Sequence, residues 1–490
     1  MQKDNSIHGY KLIIGYMGLI IFMLGIILLI PLVIIIFYPE EIIFAKNFII
    51  PSVFSLLIGY LLSFSFGSKK KGRLDNHQDL LLVVLMWITA IVISAVPFLF
   101  LGNYSITHSI FETTSGYSTT GLSIIDVEVT PHIYLFFRSL MQFFGGIGLV
   151  LVMTSVLSDR YGMRLYHAEG HSDKLLPNLM KSARVILLIY MIYILLGTVL
   201  YWVFGMNFFD ALNHSISAVS TGGFSTKASS IGFYNSQAIE VITIVLMLLG
   251  STNFLIHLRL FRGKIKEVFL HSETKLLIGF LVVGIALFTL FFNSHIDGGI
   301  WNALRVGSFQ LISALTTTGY QTINQFASLS SILIGFVILL MVIGGSIGST
   351  AGGIKQYRIV IFFKSLYWSI QDRIISKKII RTHYVNKVGK KIAIDESELK
   401  YIHNYIGIYI IILLIGTFII SAFGYSLESS LFEFASALGT VGLSMGVTSY
   451  SANPVVLWTL SVGMFLGRLE IYIVIISIIK PLMNLIKKEK

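Results

Sequence analysis

The sequence predicts an all-α polytopic membrane fold. Three observations carry this: charge is scarce, ten apolar runs recur along the chain, and one short polar motif returns four times. Charged residues are 12% and hydrophobic residues 55% of the 490, against about 25% charged in a soluble domain. A helix needs roughly 20 mostly apolar residues to cross the hydrocarbon core. Runs of this kind lie at 12–37, 47–66, 80–101, 132–157, 184–204, 238–258, 274–292, 329–343, 403–423 and 455–479. The net charge of +12 raises the question of nucleic acid, but the basic residues cluster between the apolar runs, as the positive-inside rule expects. With no cysteine, a disulfide framework and a thiolate metal site are both excluded. The first run is too long for a signal-peptide core and has no small-residue cleavage site after it, so it reads as a retained anchor.

Orientation follows from the loops. Segments 67–79, 158–184, 259–275 and 355–400, and the tail after Lys480, are rich in Lys and Arg. The alternate segments 38–47, 102–131, 205–237, 293–328 and 424–454 carry few, chiefly Lys46, Lys227 and Arg305. Placing the basic set in the cytoplasm puts both termini there and requires an even number of crossings, which ten satisfies.

Each outer segment holds a short amphipathic stretch, too brief to span, followed by a Ser/Thr/Gly tract. Aligned on the tract they read IFETTSGYSTTGL (110–122), LNHSISAVSTGGF (212–224), SFQLISALTTTGY (308–320) and LFEFASALGTVGL (431–443). The third residue is polar each time (Glu112, His214, Gln310, Glu433) and the sixth is serine (Ser115, Ser217, Ser313, Ser436). Thr119, Thr221, Thr317 and Thr440 recur in register, with Gly121, Gly223, Gly319 and Gly442 two residues later. One Thr-x-Gly carries no information, and a single such patch reads as close helix packing. Four in register, about 100 residues apart and each between two spans, are an internal repeat. The organisation read from this is a two-helix extension at 1–72, then repeats at 73–183, 184–272, 273–400 and 401–490.

The chemistry of the repeat suits a cation. Irregular backbone at membrane depth is tolerated only where it is buried in protein or lines water. A half-helix entering from outside aims its negative C-terminal end at the centre, and the carbonyls of the returning tract can replace an ion's hydration shell. The candidate ligands are the main-chain oxygens of Ser118, Thr119, Thr120 and Gly121; Ser220, Thr221, Gly222 and Gly223; Thr316, Thr317, Thr318 and Gly319; and Gly439, Thr440, Val441 and Gly442. No carboxylate is needed in such a filter, and none is present.

These tracts, with RSLMQFFGGIGLV (138–150), GGSIGSTAGGIK (344–355) and GRLEIY (467–472), resemble the Trk/Ktr/HKT superfamily of potassium transporters, and within it the TrkH type, over nearly the whole chain. The resemblance implies four fused helix–pore helix–helix units with pseudo-fourfold symmetry, plus two extra N-terminal helices. It implies potassium as the transported ion, no organic cofactor on this chain and a homodimer in the bacterial inner membrane. It also implies a cytosolic TrkA-like regulatory ring that binds NAD or ATP/ADP. Sodium-preferring plant relatives tend to carry serine at the first filter glycine, where this chain has Gly121. The second and fourth tracts depart from a uniform pattern at Gly222 and at Gly439 and Val441.

Several residues carry two readings. Segment 344–353 holds five glycines in ten residues, a poor helix interior at ~1 kcal/mol per glycine. By resemblance it is an intramembrane gating loop of Gly344, Gly345, Ser346, Gly348, Ser349, Thr350, Gly352 and Gly353. Ser346, Ser349 and Thr350 would line the water path and Lys355 would sit near the inner mouth. The other reading is a packed, kinked helix. A phosphate loop is disfavoured, since Lys355 does not directly follow Gly353 and no strand precedes it. Arg468 lies in an apolar span, where a charge costs about 2.5–3.5 kcal/mol. It is either bridged to Glu470, Glu433 or Glu112, or placed near the pathway as an electrostatic barrier. Glu112, Glu433, Asp210 and Glu428 read as caps or ion-pair partners at the starts of the half-helices, with Arg138 and Arg305 as counter-ions, and otherwise as a cation-attracting vestibule. His214 reads as a packed pore-helix residue, or as a proton sensor. The basic stretch 373–391 contacts anionic lipid or a cytosolic partner. Two rival functions are weighed: a potassium-binding subunit of an ATP-driven pump, which needs a partner ATPase, and an intramembrane enzyme, which needs converging acids or metal ligands that the spans lack.

Overall fold

The computed structural model describes residues 10–66, 76–148, 179–292, 299–323, 326, 329–374 and 382–488. It is an all-α polytopic membrane protein in which helix, half-helix and helix recur four times after an N-terminal pair. Among the described residues, six helices are long and apolar enough to cross a membrane, or eight when each sharply bent pair is taken as one span. Their outward faces expose large apolar side chains such as Leu195, Leu196 and Val199, which suits lipid, since water would penalise such a surface.

The N-terminal helices Tyr10–Leu29 and Ala45–Phe66 run antiparallel. Gly18 and Gly59 let them touch backbone to backbone, because a β-carbon on Gly59 would meet the Gly18 oxygen. Small residues drive such crossings in lipid, where apolar side chains gain nothing by leaving the membrane. The turn between these helices carries Glu41, whose carboxylate accepts from the backbone N–H groups of His132 (2.7 Å) and Ile133 (2.8 Å). The extension thereby caps the second helix of repeat 1.

The repeats proper are built from long first helices at Asn76–Phe100, Leu179–Val203, Ser272–Phe292 and Glu396–Ser421. Pore helices follow at Ile106–Tyr117, Phe208–Val219, Gly299–Leu315 and Leu427–Leu438. Second helices start at His132, Gln237, Ser331 and Pro454. Those of repeats 1, 2 and 4 are expected as continuous runs, yet all four second helices stop or bend. The first ends at Ile147 before Gly148 (φ +96°), and the third ends at Ile343 before Gly344 (φ +70°). The second bends by 110° between Ser251 and Phe254, and the fourth by 100° at Glu470 (φ +59°). The expected remainder of the first, 149–157, lies outside the described residues, as do Arg160, Arg164 and Lys174 of the basic loop. The one break anticipated in repeat 3 is thus the glycine-rich instance of a fourfold feature.

A small antiparallel hairpin, His383–Lys387 with Lys390–Ile394, adds two strands within the basic stretch. Residues 375–381 of that stretch, with Lys377, Lys378 and Arg381, lie outside the described residues.

Candidate ion pathway

Each pore helix ends in the same backbone device. Thr119 N donates to Gly116 O (3.1 Å) and Thr120 N to Ser115 O (3.0 Å). The pattern repeats at Thr221 and Gly222, at Thr317 and Thr318, and at Thr440 and Val441. These paired bonds form a Schellman motif, which needs a left-handed residue just past the helix. That residue is usually glycine, yet here it is Thr119 (φ +55°), Thr221 (+51°), Thr317 (+54°) or Thr440 (+51°). A β-branched residue at positive φ is a genuine outlier and costs of order 1–3 kcal/mol. Four matching outliers mark an imposed conformation. The glycines two residues on are also positive (+93°, +74°, +83°, +97°), while the residues between are not. Alternating signs of φ turn successive carbonyls toward one side, where an ordinary extended strand would point them to opposite sides.

The tracts close a ring. A β-carbon on Gly121 would strike the carbonyl oxygen of Gly222; on Gly223, that of Thr318; on Gly319, that of Val441; and on Gly442, that of Thr120. Repeat 1 therefore packs on 2, 2 on 3, 3 on 4 and 4 back on 1, with the same atom met each time. All sixteen expected tract residues come together here. Above the ring lies a cavity of about 390 Å³, floored by the four glycines and walled in part by Asp126, Arg138 and Lys227.

The polar third residue of each aligned segment braces the chain as it leaves the ring. Glu112 accepts from Ser123 Oγ (2.9 Å) and Ile124 N (3.2 Å), and Glu433 from Ser444 Oγ (2.8 Å) and Met445 N (3.0 Å). His214 Nε2 pairs with Ser225 Oγ at 2.9 Å, and Gln310 donates to Thr322 Oγ1 at 3.1 Å. Glu112 and Glu433 thus stand mid-helix. The caps of their two helices belong to Ser105 and Ser426. Asp210 and Glu428 do occupy first turns. Arg138 pairs with Glu112 at 2.7 Å, but Arg305 pairs with Glu240 at 2.6 Å and with none of the four expected carboxylates.

Arg138 and Glu112 are both almost fully buried, and the guanidinium also bonds Ser123 and lies 3.9 Å over the Phe224 ring of repeat 2. Removing one partner of such a pair leaves a buried charge and costs about 3–5 kcal/mol. Arg138→Met should lower the thermal unfolding temperature of the detergent-solubilised protein markedly. The double variant Glu112→Gln/Arg138→Met should recover most of the loss. A single variant as stable as the parent would show that the pair does not brace the ring.

The glycine-rich loop lies directly beneath. Thr350 Oγ1 contacts Thr221 Oγ1 (3.0 Å) and donates to Gly250 O (3.0 Å), and Gly352 N donates to Thr317 Oγ1 (2.8 Å). A β-carbon on Gly352 would meet Thr440 Oγ1. The tract threonines of repeats 2, 3 and 4 therefore hold their hydroxyls against the loop. Its underside is fixed to repeat 2 by Ser346 N to Ser251 O (3.1 Å) and Asn253 Nδ2 to Ile347 O (2.6 Å), and to the first helix of repeat 3 by Ile347 N to Glu273 Oε1 (3.0 Å). Gly344, Gly348 and Gly353 take positive φ, as does Lys355 (+82°). Gly345 N donates to Gly352 O at 3.3 Å, closing the loop on itself. Ser346, Ser349 and Thr350 are buried with their hydroxyls bonded inside the protein, and Lys355 Nζ donates to Ala351 O. The loop therefore packs against the tracts with these side chains bonded inside the protein.

Arg468 donates to Thr350 O (3.3 Å), Gly145 O and Gly146 O (3.2 Å). The carboxylates proposed for it are engaged elsewhere: Glu470 with Arg358 at 2.7 Å, Glu112 with Arg138, and Glu433 with the tract-exit backbone. Arg468 therefore stands beside the loop and the end of the first repeat's second helix. Gln142, Asn253 and Glu273 join this site without having stood out in the sequence. The signal for Gln142 was slight: one amide in an apolar run between Arg138 and the Gly145–Gly146 pair.

Four half-helices whose returning tracts close a ring, packed on a glycine-rich loop within lipid-facing helices, are the architecture of a cation-transporting membrane protein. The chain belongs to the TrkH family of cation transport proteins, whose model matches residues 44–485. It is 30% identical to the Trk system potassium uptake protein TrkH of Escherichia coli K12 over 425 residues, 83% of this chain and 86% of that one. Against an uncharacterized cation transporter of Methanocaldococcus jannaschii it is 30% identical over 474 residues, 95% and 94% of the two chains. The crystal structure of the potassium transporter TrkH from Vibrio parahaemolyticus matches with a TM-score of 0.84 at 25% identity, covering 96% of this chain and 98% of that one. The family is one of transporters, not enzymes.

Proposed function

We propose that the chain takes up potassium through the ring formed by residues 118–121, 220–223, 316–319 and 439–442. The reading is carried by the cyclic contact in which each filter glycine meets the preceding carbonyl of the next repeat. A partly dehydrated ion on that axis exchanges water oxygens for peptide oxygens, and four pore-helix C-termini add a favourable potential. The potassium uptake proteins among the relatives support the choice of ion.

The loop 344–355 acts as the gate, since it seals the path directly under Thr221 and Thr317. Arg468 holds the loop's Thr350 carbonyl and places a fixed positive charge beside the path, a barrier to cations while the gate is shut. The domain boundaries at 72, 183, 272 and 400 divide the extension from the repeats. The chain sits in the bacterial inner membrane with both termini in the cytoplasm, as a homodimer. It is regulated by a cytosolic nucleotide-binding ring of TrkA type facing the basic loops.

The test is flux in liposomes holding this protein alone, with potassium and sodium compared under imposed voltage and pH gradients. Potassium flux well above that of protein-free vesicles is expected. Absence of alkali-cation flux, with the gate loop removed as well, would overturn the reading.

A further inference from the structure

The ring is chemically uneven, and the unevenness has a structural cause. At the residue before the filter glycine, repeats 1 and 3 carry Thr120 and Thr318. Their hydroxyls pair with Ser118 (2.7 Å) and Thr316 (2.9 Å). Repeat 2 carries Gly222 at this place. The space its side chain would fill is taken by Gln142, which arrives from the second helix of repeat 1. A β-carbon on Gly222 would run into Cδ, Oε1 and Nε2 of that glutamine.

Gln142 is fully buried and its amide bonds to repeat 2 at both ends. Nε2 donates to Gly222 O at 2.6 Å, while Oε1 accepts from Ser217 Oγ at 2.7 Å and Phe224 N at 3.4 Å. Gly222 O is one of the four oxygens against which the ring closes. It therefore faces a ring neighbour and accepts an N–H at the same time.

We infer that Gln142 is a specificity-determining residue, acting through Gly222 to set how strongly the ring prefers a large alkali cation to a small one. This rests on the filter reading above. Two effects point the same way. The amide hydrogens place positive partial charge behind the oxygen, which lowers the field it presents to an ion. A weak field favours the larger, less tightly hydrated ion, because less dehydration energy has to be replaced. The bond also anchors the oxygen, so that it cannot move inward to close around a smaller ion.

The experiment compares potassium and sodium flux in proteoliposomes for the parent, Gln142→Met, Gly222→Thr and the double variant Gln142→Ala/Gly222→Thr. Methionine keeps the volume and removes the bonds. The double variant converts the tract 220–223 to Ser-Thr-Thr-Gly, the sequence of 118–121, with the glutamine gone to make room. Gln142→Met should keep potassium flux within about threefold of the parent while the potassium-to-sodium ratio falls at least about fivefold. Gly222→Thr alone should lose most flux, through collision with Gln142. The double variant should recover flux and most of the ratio.

An unchanged ratio in folded Gln142→Met, or a double variant no better than Gly222→Thr, would overturn the inference while leaving the filter intact. Loss of the filter reading is separable, because it would show as no alkali-cation flux in the parent even with the gate loop removed. Thermal unfolding of each variant distinguishes altered preference from altered folding.

Discussion

Replacing Gly319 by alanine is expected to cut potassium flux by about 30–100-fold. The residue sits at φ +83°, where an L-side chain carries roughly 1–3 kcal/mol of strain. Its β-carbon would also press on Val441 O and lie 3.0 Å from Gly442 Cα, both main-chain atoms of the next repeat. Neither can rotate aside as a side chain would, so the ring must open at that joint. A displacement costing about 2.0–2.7 kcal/mol at one coordination layer is a factor of about 30–100. Gly335→Ala is the control: that helical glycine has open space beyond it, and flux should not change. Flux in liposomes, with monodispersity confirming folded protein, decides the matter. Near-parental flux in Gly319→Ala would mean that this joint is not part of the conducting path.

The second large effect concerns the plug and has the opposite sign. Deleting residues 348–353 should raise cation flux at least about tenfold, because it removes the contacts to Thr221, Gly250 and Thr317 that hold the shut arrangement. Each such bond contributes about 1 kcal/mol net, and a shift of a few kcal/mol moves a two-state equilibrium by orders of magnitude. Thr350→Val tests the same point with less disturbance. It keeps the shape but loses the bonds to Thr221 and Gly250, so about a 5–10-fold rise is expected. Well-folded protein with unchanged or lower flux in both variants would return the loop to the role of a packed kink.

Much of this site is legible in the sequence alone, and the reason is repetition. Thr119, Thr221, Thr317 and Thr440, each two residues ahead of a glycine, announce a backbone requirement imposed four times. The glycines of 344–353 likewise announce a break, because glycine is costly inside a helix. The break at Glu470 gave no comparable sign, since a charged residue between two apolar runs is equally compatible with a continuous span. Glu112 and Glu433 were placed at helix starts because a carboxylate is favourable there. They lie in the middle instead, because the strand leaving the ring offers N–H and hydroxyl donors that only appear once the chain has turned back. Arg305 found Glu240 for a similar reason, as its partner lies 65 residues away on another repeat.

By itself, then, the sequence determined the membrane class, the fourfold repeat, the four Thr-x-Gly tracts and the glycine-rich break after the second helix of repeat 3. All of these are written in composition, local backbone preference or periodicity, which neighbouring residues settle among themselves. Only the tertiary structure decided the order in which the tracts close into a ring, the seating of Gln142 on Gly222 and the bonds of Arg468 to Thr350 and Gly145. Those pairs are 80, 118 and 323 residues apart. Their meeting depends on how whole helices pack, and no local preference along the chain encodes it.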